Sequence, residues 1–118
     1  MKCVLFCQNN YAFGILEPIK TYLTDNGHEY IWYVNPKIIH DYPYNSEPFT
    51  TSIGELITYQ SDAIFVPGNE VPHYLRGVKV QVFHGFLLLL SMIKYSALRS
   101  CAAEARSVAR VKAELGWA

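Results

Sequence analysis

The chain has 118 residues, of which 51% are hydrophobic and 14% aromatic, and its formal net charge at pH 7 is zero. This length predicts one domain, and the high apolar content excludes an intrinsically disordered chain. Zero net charge gives no support to a nucleic-acid partner. The charge is nevertheless uneven, because residues 1–85 carry five Lys/Arg against eight Asp/Glu whereas residues 86–118 carry five against two. We expect an acidic body followed by a basic carboxyl-terminal segment.

The first part of the chain has the pattern of a β-α-β unit. Residues 2–7 form a continuous apolar run, typical of a strand buried on both faces. From residue 13 to residue 24 the apolar side chains recur at helical spacing, with Pro18 early in the helix, where proline is tolerated. Asn26-Gly27 is a suitable helix end. The aromatic and β-branched residues 30–34 predict a second strand, parallel to the first through a right-handed crossover.

The middle of the chain predicts a loop and then a short helix. Residues 35–52 are rich in Pro, Asn, Asp, Ser and Thr, which favours a loop. Ser52 is expected to cap a helix over residues 53–59, and Glu55 completes a capping box.

Two further strands follow, over residues 63–66 and 78–83, separated by a loop that contains Pro72 and Gly77. The alternation of strands and helices predicts an α/β fold, a Rossmann-like parallel sheet flanked by helices.

The carboxyl-terminal segment differs from the body in composition. The apolar run over residues 86–93 is too short to span a bilayer, which takes about 20 residues. Residues 98–115 predict a basic amphipathic helix. Such a helix either binds an anionic membrane surface or packs on the sheet, and we favour packing because large aromatic anchors are nearly absent before Trp117. We therefore divide the chain into a Rossmann-like α/β domain, residues 1–85, and a segment packing on it, residues 86–118.

Several kinds of site are not predicted. Cys3 and Cys7 share one side of the first strand and, with Cys101, lack metal-type spacing, so we interpret them as buried thiols of a reducing compartment. The four histidines also lack metal-type spacing. Residues 8–14 contain one glycine and no dinucleotide or Walker fingerprint, so no cofactor is predicted. Met1 leads directly into a strand without a signal peptide, which favours a cytoplasmic location.

The candidate catalytic residue is His84, at the carboxyl end of the fourth predicted strand. Ligands of open α/β sheets bind at this edge, and histidine suits general-base work near neutral pH. Gly85 allows a ligand to approach closely. The alternative is a core histidine whose ring bonds to a backbone carbonyl, and position alone does not separate the two.

Two polar loops at the same edge supply candidate substrate-binding residues. Asn9, Asn10 and Tyr11 follow the first strand and offer donors to an acceptor substrate, or they serve only as turn formers. Asn69 and Glu70 follow the third predicted strand, and Glu70 either orients His84, contacts substrate or is simply solvated.

Residues 61–85, SDAIFVPGNEVPHYLRGVKVQVFHG, resemble the amino-terminal domain of the CDP-glycerol glycerophosphotransferases. These are GT-B enzymes that build teichoic-acid-type poly(glycerol phosphate) chains of the cell wall. The family strand Lys-x-Val-Gln-x-(Phe/Trp)-His-Gly is matched here at Lys79, Val80, Gln81, Phe83, His84 and Gly85. The specific match covers about 25 residues and the compatible part about 85. The polar, lysine-containing segment that follows in the family is replaced here by Phe86 and four leucines.

The resemblance implies the acceptor-side half of a GT-B transferase. In that role His84 would take the proton of an acceptor hydroxyl as it attacks the β-phosphate of CDP-glycerol. The implied partners are CDP-glycerol and a polyol-phosphate or glycolipid acceptor, with peripheral contact at the cytoplasmic membrane. The chain alone is expected to be inactive, because a donor domain is needed to hold both substrates in line. A UDP-sugar epimerase or another GT-B glycosyltransferase half-domain is one alternative, and a non-catalytic α/β binding module is another.

Overall fold

The computed structural model describes residues 1–68, 71–82, 94–95, 109–110 and 113–114. Its strands and helices follow in the order β1 (Lys2–Cys7), α1 (Ala12–Asp25), β2 (Glu29–Val34), a 3-10 helix (Pro36–Asp41), β3 (Phe49–Thr50), α2 (Ile53–Tyr59), β4 (Ala63–Val66), β5 (Val78–Gln81) and β6 (Lys94–Tyr95). The sheet order is β3-β2-β1-β4-β5-β6, in which the first five strands are parallel and β6 is antiparallel to β5. The predicted α/β, Rossmann-like arrangement is confirmed.

The core lies on both faces of the sheet, as the apolar runs predict. On the first face the α1 side chains Phe13 and Leu16 pack against β1 and β2, in a cluster that includes Cys3 and Cys7. On the second face, Leu56 of α2 packs on the opposite side chains of β1, β2 and β4. Both described thiols are buried and free, which confirms their prediction as small core residues.

Helix α1 differs from its prediction in one detail. Pro18 lies inside the helix, as its seventh residue rather than in its first turn. Because proline has no N–H, the carbonyl of Gly14, four residues earlier, receives no helical hydrogen bond. The predicted end is confirmed, since Asn26 is the last partly helical residue and Gly27 has a φ of 72°.

The connection from β2 to α2 is more ordered than a loop. It contains the 3-10 helix and the two-residue strand β3, neither of which is predicted from its composition. The predicted Ser52 cap of α2 is confirmed, because Ser52 Oγ accepts a hydrogen bond from the Glu55 amide at 3.4 Å. Glu55 does not complete the predicted capping box, because the Ser52 amide donates to Thr50 Oγ1 at 3.0 Å.

The carboxyl-terminal half is described only in part. Strand β5 ends at Gln81, earlier than predicted, and β6 was not predicted at all. Residues 109–110 and 113–114 are helical and exposed, and Arg110 forms an ion pair of 3.2 Å with Asp62, beside the amino end of β4. The apolar run over residues 86–93 lies outside the described residues. Among the residues that are described, no helix is both long and apolar enough to cross a membrane.

Candidate functional site

The strand order creates a switch point between β1 and β4. From β1 the chain proceeds to β2 and β3 on one side of the sheet, and then to β4 and β5 on the other. In parallel sheets the loops at such a point diverge and leave a crevice outside the carboxyl ends of the strands, where ligands bind. This rule assigns the ligand crevice to the edge beyond Cys7 of β1 and Val66 of β4.

The predicted residues Asn9, Asn10 and Tyr11 lie at this crevice, in the loop between β1 and α1. The Asn9 carbonyl accepts a hydrogen bond from the Ala12 amide at 3.0 Å, and Asn9 Nδ2 donates to Tyr11 Oη at 3.3 Å. Asn9 therefore forms the turn. Asn10 is exposed and has no side-chain hydrogen bond to the described residues, and Tyr11 is 54% exposed. These two side chains are available to a ligand.

The amino end of α1 faces the same crevice. Tyr11 stands at the N-cap position without a side-chain capping bond, and the first turn contains no acidic residue. The amides of a helix start carry partial positive charge, which favours an anionic group such as a phosphate.

Two residues that the sequence analysis did not single out connect the loops of this edge. Asn35, at the end of β2, donates through Nδ2 to Gln8 Oε1 at 2.5 Å. Its amide donates to the Cys7 carbonyl at 3.0 Å, and its Oδ1 accepts from the Lys37 amide. Asn35 thus fixes the start of the β1–α1 loop to β2. In the sequence, Asn35-Pro36 indicates the end of a strand, but nothing in this pattern predicts the contact with Gln8.

The opposite wall of the crevice begins after β4, at the partly exposed Pro67 and Gly68. The candidates Asn69 and Glu70 come next in the chain and lie outside the described residues. His84 and Gly85 also lie outside them. Strand β5 runs parallel to β4, and the Val82 amide donates to the Val66 carbonyl at 2.8 Å. The described chain therefore reaches the carboxyl edge of the sheet two residues before His84.

An aromatic clamp, which we define as Phe13, Trp32, Tyr42 and Tyr44, supports the first turn of α1. Phe13 makes edge contacts with the other three rings, at centroid distances of 6.1, 5.9 and 6.4 Å. Tyr44 stacks on Trp32 at 4.8 Å. Because Phe13 is the second residue of α1, the clamp packs against the start of the helix beside the crevice loop.

The carboxylate of Glu47 connects Trp32 of the clamp to neighbouring side chains of β2 and α1. Its Oε1 accepts hydrogen bonds from Tyr30 Oη at 2.8 Å and from Trp32 Nε1 at 2.9 Å, and Oε2 forms an ion pair of 3.2 Å with Lys20 Nζ. Burial alone would raise the pKa of Glu47, but the hydrogen bonds from Trp32, Tyr30 and Lys20 and the Lys20 charge lower it by more. Glu47 remains ionised and structural.

The two described thiols do not belong to the crevice chemistry. Burial raises the pKa of the Cys3 thiol to about 12, with smaller opposing and supporting contributions from nearby charges. Burial also raises the pKa of Cys7. A buried, protonated thiol is a poor nucleophile, so neither sulfur is a candidate for covalent catalysis.

The crevice between β1 and β4 thus combines exposed polar side chains, an uncapped helix start and a strand that leads toward His84.

In comparisons with protein-family models, curated proteins and solved structures, nothing matches this chain.

Proposed function

We propose that the crevice between β1 and β4 binds a hydroxyl-bearing, phosphate-containing acceptor for a glycerophosphotransferase reaction. The single observation that carries the binding proposal is the switch point itself, because it places Asn10, Tyr11 and the start of α1 at the edge where such sheets bind ligands. The uncapped helix start suits the phosphate. Asn10 and Tyr11 offer hydrogen bonds to the polyol.

The reaction is proposed from the sequence motif that ends in His84. His84 would accept the proton of the acceptor hydroxyl, whose oxygen would form a bond to the β-phosphorus of CDP-glycerol. The bond between that phosphorus and the bridging oxygen would break, and CMP would leave. The donor would be held by a second domain, and the reaction would take place in the cytoplasm, with peripheral contact at the membrane.

The acceptor site is tested by NMR titration of the chain with sn-glycerol 3-phosphate. We expect the ligand to shift the amides of residues 9–11 and the ring resonances of His84, and to leave those of His73, an exposed histidine of the β4–β5 loop, unchanged. Asn10→Ala should weaken binding, whereas Asn45→Ala, at an exposed asparagine before β3, should not.

Other outcomes would assign the site differently. Shifts at the same amides with UDP-sugars, and none with glycerol 3-phosphate, would favour an epimerase or another glycosyltransferase half-domain. The absence of shifts with both ligands would contradict the proposal and favour a non-catalytic module. A response of His73 equal to that of His84 would remove the reason to assign the base to His84.

A further inference from the structure

Gln8 is the first residue of the loop between β1 and α1, at the edge of the sheet to which the ligand crevice is assigned. It directly follows Cys7, the last residue of β1, and is partly buried. A glutamine side chain has one oxygen, which accepts hydrogen bonds, and one nitrogen, which donates them. The end of the amide that reaches a ligand therefore decides which ligand groups Gln8 can recognise.

Asn35 decides which end of Gln8 is available. The Lys37 amide donates to Asn35 Oδ1 at 2.9 Å, and because a backbone N–H can only donate, the atom that it contacts must be the side-chain oxygen. The other end of Asn35 is then the nitrogen, which donates to Gln8 Oε1 at 2.5 Å. The backbone at the start of the 3-10 helix thus sets the orientation of both side-chain amides.

The nitrogen of Gln8 is left for another partner. Nε2 and Oε1 branch from the same carbon, so Nε2 is turned away from Asn35, and it has no acceptor among the described residues. Asn35 follows β2, whereas the switch point lies on the other side of β1, next to β4. The Ala12 amide donates to the Asn9 carbonyl at 3.0 Å, so a single turn separates Gln8 from the start of α1. A partly buried donor is therefore available at the crevice.

We propose that Gln8 donates through Nε2 to the phosphate of the ligand in the crevice, and that Asn35 is the positioning residue that turns this donor outward. The inference rests on the proposed function. Ionised phosphate oxygens only accept hydrogen bonds, so an N–H group binds them, whereas an outward carbonyl oxygen would repel them. The orientation of one amide thus selects an acceptor group and disfavours a ligand with an amine at that position.

The donor is tested by NMR titration of Gln8 variants with inorganic phosphate and with sn-glycerol 3-phosphate. Gln8→Glu keeps the oxygen that faces Asn35 and replaces the outward donor with an oxygen. Gln8→Met removes the donor without adding a charge. Both variants should bind both ligands at least about tenfold more weakly, as expected for the loss of a hydrogen bond to a charged group.

The matched control is Gln60→Glu. Gln60 is exposed, lies before the amino end of β4, and also accepts a hydrogen bond through Oε1, from Arg76 at 3.0 Å. This variant makes the same chemical change at the opposite edge of the sheet and should leave both affinities unchanged.

The positioning role is tested by Asn35→Asp. The aspartate still accepts from the Lys37 amide, but its second oxygen would accept from Gln8 Nε2 and turn Gln8 Oε1 outward. The affinity for both ligands should fall about tenfold when Gln8 is present. It should change little in the Gln8→Met background, because no side-chain amide remains there to be turned.

The orientation is also measured without ligand, from the side-chain amide resonances of Asn35. These should have the chemical shifts of a hydrogen-bonded donor in the wild type and in Gln8→Glu, and should move in Gln8→Met. Resonances that do not respond to Gln8→Met would overturn the orientation of Gln8 by Asn35.

The other outcomes separate this proposal from the proposed function. If the wild type binds glycerol 3-phosphate and Gln8→Met binds it equally well, the role of Gln8 is overturned and the proposed function stands. Weaker binding of glycerol 3-phosphate but not of phosphate would overturn the assignment of Gln8 to the phosphate. An equal loss from Asn35→Asp in both backgrounds would overturn the positioning role. If the wild type binds neither ligand, the proposed function fails and the contact of Gln8 with phosphate fails with it, while the Asn35 resonances still decide the orientation.

Discussion

On each side of the switch point, one charged side chain forms hydrogen bonds in or beside a long connection between strands. The two side chains have opposite charges. On the β2–β3 side, the Glu47 carboxylate accepts from Tyr30, Trp32 and Lys20. On the β4–β5 side, the Lys79 ammonium donates to the Leu75 carbonyl.

The difference follows from what each connection has to satisfy. The segment before β3 brings aromatic side chains against α1 and β2, and the donors there belong to side chains, so an acceptor joins them. The segment before β5 consists of turns and bends, so its backbone carbonyls take hydrogen bonds from donors outside a helix. One of them, the Leu75 carbonyl, accepts from Lys79 Nζ. The described contacts of the two side chains thus differ in kind, because Glu47 accepts hydrogen bonds and Lys79 donates one.

The largest effect is expected at Gly77, the last residue of the β4–β5 connection, which passes close to the backbone of Ser61. At Gly77, φ is 116° and an added Cβ would lie 2.8 Å from the Ser61 carbonyl oxygen. Gly77→Ala should cost about 3 kcal/mol of unfolding free energy, because backbone strain and a backbone clash act together. Urea unfolding measures the change.

The matched control for that prediction is Gly27→Ala. Gly27 also has a positive φ, of 72°, but nothing lies within 4 Å of an added Cβ. It should cost only about 1 kcal/mol, the price of the left-handed conformation alone. Equal losses for the two variants would contradict the close approach of Gly77 to Ser61.

On the other side of the sheet, Glu47→Ala should cost about 2 kcal/mol, because it leaves partly buried donors of Tyr30 and Trp32 without an acceptor. Glu47→Gln keeps an acceptor oxygen and should cost about half as much. Thermal or urea unfolding of the two variants tests this order. A loss for Glu47→Gln as large as that for Glu47→Ala would mean that the ion pair with Lys20, and not the shared acceptor, holds the clamp.

The ionisation of Glu47 should make the free energy of unfolding depend on pH. Its pKa in the folded protein lies below the ordinary value of a glutamate, so the stability that it contributes is present above the unfolded pKa and is lost as the pH falls through the folded pKa. The difference in unfolding free energy between the wild type and Glu47→Gln should be constant above about pH 5 and shrink below 4.5. A difference that stays constant down to pH 2 would refute the assignment.

The smallest effect is expected at the ion pair that ties residues 109–110 to the β4 side. Arg110 is 58% exposed and Asp62 20% exposed in this pair. A double-mutant cycle with Arg110→Met and Asp62→Asn should give a coupling of about 0.5 kcal/mol that weakens with added salt. A salt-independent coupling would show that the pair is buried more deeply than its geometry indicates.

Local patterns in the sequence were sufficient for most of the sheet. The unbroken apolar run of β1 predicts burial on both faces, and Ser52 with Glu55 marks the start of α2, because both features depend on neighbours in the chain. The prediction failed for Pro18, for the 3-10 helix and for β3. Phe49 and Thr50 pair with Trp32 and Tyr33 of β2, which lie far away in the chain, and no local spacing predicts a strand of two residues.

The sequence likewise predicted only some residues of the candidate site. The sequence placed Asn9, Asn10 and Tyr11 at a strand end, and the structure brings them to the switch point. Nothing in the sequence indicates the role of Asn35, whose hydrogen bonds to Gln8 and Cys7 join segments that are far apart in the chain. His84, Gly85, Asn69 and Glu70 remain predictions, since they lie outside the described residues.

The sequence by itself determined the α/β class, the faces of β1 and the limits of α2, because hydrophobic periodicity and capping act over a few residues. Only the tertiary structure decided the strand order at the crevice, and it alone revealed the contacts of Glu47 and Lys79. Glu47 and Lys79 look like ordinary loop and strand charges in the sequence. The partners of Glu47 come from α1 and β2, at least 15 residues away in the chain, and such hydrogen bonds exist only once the sheet has assembled.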